Sequence, residues 1–289
     1  MKTILTGATG FLGSEILKVL LRENHNIIIL KRTFSNTQKI KNELSAVRQY
    51  DIDKTSLASI FEENKNIDAI IHTATCYGRK NETASQIFYS NTAFPLELLE
   101  LSVKNKVKTF INTGTILPLA KKGQMHNYVL SKQQFAKWGE YYSQDIQFTN
   151  AILDYIYGPF DDKTKFLPTL IEACVENKES INLSGGEQLR DFIYIEDVVT
   201  AYMKILHLQN APLEVEIGHG LQTSLKNAAL KIKELTKSKT NLNFGAIEYK
   251  DGEPMSLKTN PAFLNSAGWK PKYNFTDGIK KLISEEYKK

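Results

Sequence analysis

The chain has 289 residues, 42% hydrophobic and 24% charged, with a formal net charge of +5, the composition of a folded globular protein with room for one large domain or two interlocked ones. Its Lys and Arg residues are scattered apart from a lysine-rich C-terminal tail, which argues against nucleic-acid binding; no apolar run approaches membrane-spanning length. Cys76 and Cys174 have no CxxC spacing or His cluster near them and the first strand begins right after Met1-Lys2, so the expectation is a cytoplasmic protein with no membrane partner and no metal site.

Thr3-Ile4-Leu5 reads as a strand, and Phe11, Leu12, Ile16, Leu17, Leu20 and Leu21 recur at helical spacing up to Arg22-Glu23-Asn24. Between them lies Thr6-Gly7-Ala8-Thr9-Gly10-Phe11-Leu12-Gly13. Gly7 lets the chain turn sharply, Gly10 removes a side chain where a pyrophosphate would approach, and Gly13 lets the helix pack close to its strand. The first N–H groups of the helix then face an anion. A glycine triplet is weak evidence alone, because strand-to-helix turns use glycine for geometry as well.

Ile27 to Leu30 is an unbroken apolar strand of the kind buried on both faces of a parallel sheet. Where an NAD site usually places an acid on the adenosine ribose, this chain has Lys31-Arg32 and no acid until Glu43. Two cations there suit the 2′-phosphate of NADPH; the alternative is a pair of solvated strand-end residues. Asp51 and Ile52 follow a short extended segment, where they either meet an adenine amino group and ring or form a surface loop. Ile67 to His72 is the next strand, ending in Thr73-Ala74-Thr75, whose small side chains leave room for a ligand at the strand end. His72 is assigned no chemistry.

Thr83 to Lys104 has one long helical pattern with Asn91 on its inward face, so that Asn91 must satisfy local backbone or support a neighbouring site. Val107 to Asn112 is a strand ending in Thr113-Gly114-Thr115. Next comes Tyr128-Val129-Leu130-Ser131-Lys132, at the start of a helix running to about Tyr142. Tyr128 and Lys132 share a helical face, where the ammonium is expected to lower the phenol's pKa toward neutrality.

These landmarks resemble the extended short-chain dehydrogenases/reductases of the NAD(P)-dependent epimerase/dehydratase family, whose members act on nucleotide sugars. The resemblance runs the full length. It includes Tyr157-Gly158-Pro159 after a strand read as Thr149 to Ile156, then Arg190 to Val199, Glu216 to Gly220, and Gly268-Trp269-Lys270-Pro271. It implies a Rossmann-type doubly wound parallel sheet, with residues 1–156 and 190–208 holding NADPH. Residues 157–189 and 209–289 would form a smaller substrate lobe. It implies Tyr128 as acid/base, Thr115 as the second group on the sugar oxygen, and Lys132 as the residue holding the nicotinamide ribose.

By the same resemblance, the cofactor contacts are Gly7, Thr9, Gly10, Phe11, Leu12, Gly13, Lys31, Arg32, Asp51, Ile52, Thr73, Ala74, Thr75, Asn91, Thr113 and Tyr155, beside Tyr128 and Lys132. Thr75 and Tyr155 are also substrate candidates. Lys165 and Arg190, near the expected loops Phe166-Leu167-Pro168 and Ser184-Gly185-Gly186, are candidates for the substrate phosphates. Arg190 has an alternative as the partner of Asp191 or Glu187.

Thr115 is followed by Ile116-Leu117 in place of the Asp-Glu pair that the family's 4,6-dehydratases carry, which disfavours dehydration. Tyr155 stands where related epimerases have Asn. Local stretches at Ile71–Gly78, Asn112-Thr113 and Phe244–Glu248 resemble the subfamily of CDP-abequose and CDP-paratose synthases, which reduce the 4-keto group of CDP-4-keto-3,6-dideoxyglucose for O-antigen sugars. The resemblance therefore implies an NADPH-dependent 4-ketoreductase acting on a nucleotide sugar, CDP-linked by preference, and a homodimer paired through Thr83–Lys104 and Asn127–Tyr142. A 4-epimerase with tightly held NAD and a non-catalytic NADP(H)-binding regulator are the alternatives.

Overall fold

The computed structural model describes residues 1–119 and 125–287. In chain order the strands and helices are β1 (Lys2–Thr6), α1 (Phe11–Arg22), β2 (Asn26–Lys31), β3 (Arg48–Asp51), α2 (Leu57–Glu63), β4 (Ala69–His72), α3 (Ala84–Phe88), α4 (Phe94–Lys104), β5 (Thr109–Thr115), α5 (His126–Tyr142) and β6 (Gln147–Leu153). They continue with β7 (Tyr155–Tyr157), α6 (Phe166–Val175), β8 (Ser180–Leu183), β9 (Leu189–Arg190), β10 (Phe192–Tyr194), α7 (Ile195–His207), β11 (Glu214–Ile217), β12 (Thr223–Ser224), α8 (Leu225–Thr236), β13 (Asn241–Phe244), α9 (Ala262–Ser266) and α10 (Phe275–Glu286).

A seven-stranded sheet in the order β11-β6-β5-β4-β1-β2-β3 forms the centre, with β3, β2, β1, β4 and β5 pairing in parallel. This is the doubly wound Rossmann arrangement expected from the alternating strand and helix pattern. The strand order reverses between β1 and β4, so the crevice outside their C-terminal ends is where a ligand belongs. Ile27 to Leu30 and Ala69 to His72 are buried along their whole length, which is why these strands show no polar alternation. Phe110, Phe135 and Phe148 pack together in the core with ring centroids 5.7–5.9 Å apart, Phe110 stacked on Phe148 and Phe135 inclined to both. Burying each such ring contributes roughly 2–3 kcal/mol.

Two compact units make up the chain: Met1–Thr115, the described residues of Gly123–Ile152, and Val199–Val215 in the first; the described residues of Ile116–Lys122, Leu153–Val198 and Glu216–Lys289 in the second. The second carries three two-stranded sheets, β7 with β10, β9 with β12 and β8 with β13. Its core includes the rings of Tyr157, Tyr194 and Phe275.

Three local expectations change. The apolar run Thr149 to Ile156 is not one strand: β6 ends at Leu153, and Tyr155–Tyr157 pairs with Phe192–Tyr194 in a separate sheet. Asp154 marks the break, its Oδ2 accepting the Asp191 amide at 2.9 Å. Phe166-Leu167-Pro168 is no loop but the first turn of α6, where proline is tolerated because no intrahelical bond is lost. The long helix from Thr83 is interrupted by a π-helical turn, Tyr89–Ala93, between α3 and α4.

Candidate active site

At the end of β1, Gly7 adopts φ +71°, a conformation that side chains other than glycine resist. A Cβ on Gly7 would lie 2.6 Å from both the Ala74 nitrogen and the Thr73 Oγ1, and one on Gly13 would lie 2.1 Å from the Gly7 carbonyl oxygen. The turn therefore stays bare because β1, the Thr73 strand end and α1 press against it. No side chain caps α1. Ser14 N–H donates to the Gly10 carbonyl at 3.0 Å, and the amides before it precede the first closed turn, where an anion can take them.

Thr73 Oγ1 donates to the Thr6 carbonyl at 2.8 Å, and Thr6 Oγ1 accepts from the Ala74 amide at 3.3 Å while also meeting His72 Nδ1 at 2.8 Å. The threonines at the crevice edge thus knit neighbouring strand ends together. His72 is fully buried and its pKa is held well below the ordinary value by burial and the nearby Lys132 charge. It remains a neutral structural ring, as its position at a strand end suggested. Asn91 is also committed: Oδ1 accepts the Cys76 amide at 2.8 Å, and Nδ2 donates to the Cys76 carbonyl at 2.8 Å and to Ser131 Oγ at 3.0 Å. Asn91 thus ties the backbone of the turn after β4 to Ser131 on α5.

Tyr128 and Lys132 lie buried on α5, 6% and 3% exposed. Lys132 Nζ donates to the Thr113 carbonyl at 2.9 Å, and Thr113 Oγ1 donates to the His72 carbonyl at 2.8 Å while accepting from the Tyr202 hydroxyl at 2.8 Å. Thr115 hydrogen-bonds the Tyr128 phenol. Burial, without a counter-charge, brings the Lys132 ammonium down to about 7. Tyr128 departs from the sequence expectation, because burial and then Tyr77 push its phenol upward, outweighing the downward pull of the Thr115 hydrogen bond and of Arg79. Its O–H therefore stays protonated near neutrality.

Two residues near Tyr128 were not singled out from the sequence. The Tyr77 ring stacks on Tyr128 with centroids 5.0 Å apart, and the Arg79 guanidinium lies 4.8 Å over the other ring of that pair, Tyr77. Both sit in the segment after β4; the stretch Ile71–Gly78 contains Tyr77 and stops one residue short of Arg79.

At the end of β2, Lys31 forms an ion pair with Asp51, its register partner on β3. Arg32 is exposed, with its guanidinium 4.6 Å over the Phe34 ring. The two cations are thus unequal, and Asp51 is engaged before any adenine arrives. Ile52 packs against the hydrophobic core. Thr9, Phe11 and Thr75 are partly exposed, and Leu12 is buried.

In the second unit, Tyr155 packs on Phe192 with ring centroids 4.9 Å apart. Lys165 Nζ bonds both oxygens of the buried Asp161 at 2.8 and 3.0 Å. Arg190 is buried and pairs with neither Asp191 nor Glu187; its NH2 meets Glu253 Oε1 at 3.2 Å and its NH1 donates to the Leu189 carbonyl at 2.8 Å. Asp191 instead accepts the His219 and Gly220 amides at 3.1 and 2.7 Å and the Thr259 hydroxyl.

The model of the NAD dependent epimerase/dehydratase family matches residues 3–218. The chain belongs to this family. Among curated proteins, this epimerase/dehydratase family member is 36% identical to the CDP-abequose synthase of Salmonella muenchen, over 98% of this chain and 97% of that one. It is 34% identical to the CDP-abequose synthase of Salmonella typhimurium, over 97% and 96%. Among solved structures it superposes on the UDP-glucuronic acid 4-epimerase of Bacillus cereus with a TM-score of 0.86 and 21% identity, over 98% of each chain, a likeness of fold. No helix among the described residues is long and apolar enough to cross a membrane.

The residues at the glycine turn fit the family's dinucleotide. Close backbone contact has excluded side chains from Gly7 and Gly13, and the uncapped start of α1 offers amides to phosphate oxygens. Beside the end of β5, the site offers a protonated phenol backed by a hydroxyl and a lysine titrating near neutrality, which is the equipment for protonating an oxyanion.

Proposed function

We propose that this protein is an NADPH-dependent 4-ketoreductase of nucleotide-activated deoxysugars, acting on CDP-4-keto-3,6-dideoxyglucose or a close analogue. The observation that carries the reading is the buried Tyr128 phenol, hydrogen-bonded by Thr115 and kept protonated by burial. A reduction consumes a proton at the carbonyl oxygen, so it needs Tyr128 as donor; an oxidation would need the phenolate first. Likeness to CDP-abequose synthases over nearly the whole chain supports the CDP-linked substrate.

Bound NADPH supplies the hydride that reduces C4. Tyr128 gives its proton to the C4 oxygen as negative charge develops there, and Thr115 is the second donor. Lys132 holds the nicotinamide ribose, Gly7 to Gly13 the pyrophosphate, and Arg32 with Lys31 the 2′-phosphate, while Asp51 and Ile52 flank the adenine. Residues 1–156 and 190–208 do this work, and 157–189 with 209–289 receive the sugar nucleotide. Lys165 and Arg190 take the diphosphate by exchanging Asp161 and Glu253 for phosphate oxygens.

The experiment is to mix the purified protein with NADPH and CDP-4-keto-3,6-dideoxyglucose and follow cofactor oxidation, with NMR of the product. Stoichiometric oxidation with a new C4 hydroxyl is expected. Interconversion of UDP-glucose and UDP-galactose with no net oxidation would replace this reading with the epimerase, and binding without turnover would replace it with the regulator.

The same reading includes a homodimer. Phe88 and Tyr89, together with Trp138 and Tyr141 of α5, are exposed aromatic side chains on the two segments expected to pair, an arrangement that favours association. Light scattering giving the mass of two chains is expected, and the mass of one removes the dimer.

A further inference from the structure

At the N-terminal edge of the sheet, away from the glycine turn, three metal-ligating side chains converge. Glu23 ends α1 as its C-cap residue, His25 stands just before β2, and His207 is the last residue of α7. One ligand atom of each lies within 4.8 Å of the others. Glu23 Oε2 is 3.5 Å from His207 Nε2 and 3.7 Å from His25 Nε2, and the two rings meet edge to face at 6.1 Å.

These separations are long for hydrogen bonds but close to the edge, about 3.3 Å, of a tetrahedron with metal–ligand bonds of about 2.0–2.1 Å. An ordinary ion pair draws a carboxylate onto one partner; this one stands almost equally far from two imidazoles. His25 is only 8% exposed and its Nδ1 has no hydrogen-bond partner among the described residues. Glu23 and His207 are exposed, and His207 borders a surface hollow of about 460 Å³ with Met1, Lys108 and Gln147, so an ion reaches the cluster from solvent.

We propose that Glu23, His25 and His207 bind one divalent transition-metal ion of the zinc class, leaving the remaining coordination position to water. Two imidazoles and one carboxylate suit Zn²⁺, Ni²⁺ and Cu²⁺, whereas Mg²⁺ and Ca²⁺ require oxygen-rich shells. The ion joins the end of α1 to the end of α7. It stands apart from the proposed reduction, and its existence does not depend on it.

Calorimetric titration of the metal-stripped full-length protein with ZnCl2 tests the site, with His207→Ala and Glu23→Gln alongside; both replace exposed side chains and are expected to fold. One Zn²⁺ per chain is expected, with affinity at least tenfold weaker in each variant, and with a Zn²⁺-dependent rise in melting temperature in the wild type alone. Absence of binding to the wild type, or affinity unchanged in both variants, overturns the site. Tighter binding of MgCl2 than of ZnCl2 overturns its assignment to transition metals.

Discussion

Two of the places where this molecule buries ionisable side chains give them very different numbers of hydrogen-bond partners. On α5, Lys132 meets the Thr113 carbonyl and Tyr128 the Thr115 hydroxyl, and burial displaces both pKa values, Lys132 falling to about 7. In the second unit, Asp191 receives two backbone amides and a hydroxyl from segments 28 to 68 residues away, and Asp197 receives the amides of Lys272 and Tyr273 at 2.8 and 3.0 Å. A group with fewer partners than it can use is left able to exchange protons. One saturated with donors acts as a cross-link.

The sharpest way to break that comparison is Tyr128→Phe. Turnover should fall by about a thousandfold, with NADPH affinity by fluorescence titration unchanged; activity within tenfold of wild type would show that this phenol is not the donor. Asp191→Ala should leave turnover chemistry alone and cost about 3 kcal/mol in urea unfolding, because several buried donors lose their acceptor. A loss below about 0.5 kcal/mol, the usual size of a surface change, would reduce the cross-link to a surface contact.

Arg32→Ala should narrow the preference for NADPH over NADH by about tenfold, equivalent to roughly 1.4 kcal/mol. An unchanged ratio of kcat/KM values would mean that the 2′-phosphate is read elsewhere. The smallest effect expected is a gain. Lys132→Met removes a buried cation and should raise stability by about 1 kcal/mol at pH 7 while abolishing turnover. The folded-state pKa of Lys132, about 7, lies below its ordinary 10.5. Between those values the unfolded chain binds the extra proton, so wild-type stability rises with pH; the penalty is complete below about pH 7. Melting curves from pH 6 to pH 9 should show that slope in the wild type and a flatter one in the variant.

Much of the first unit was legible because its signals are local. The glycine turn, the apolar strands and the Tyr128/Lys132 spacing each occupy a few consecutive residues, and the structure arranges them as the patterns imply. What escaped depends on partners distant in sequence. Lys31 reads as a free cation until β3 brings Asp51 beside it in register. Arg190 reads as the neighbour of Asp191 until a later segment delivers Glu253. The Tyr128 pKa was misjudged for the same reason: helical spacing sets the Lys neighbour, whereas burial by the surrounding fold governs the direction. Phe166-Leu167-Pro168 failed differently, since proline is compatible with both a loop and a first helical turn.

The π-helical turn at Tyr89–Ala93 sets the phase of the helix that follows. Before it Phe88 points to solvent, and after it Phe94, Leu98 and Leu99 are buried. Deleting one residue from this turn would rotate α4 by about 100° relative to α3, turning its apolar stripe away from the sheet and carrying Asn91 off the Cys76 backbone. A segment whose side chains make no hydride or proton transfer is thus intolerant of length change, and deletion scanning would detect that requirement separately from the loss of the Asn91 and Thr92 hydrogen bonds that alanine scanning reads.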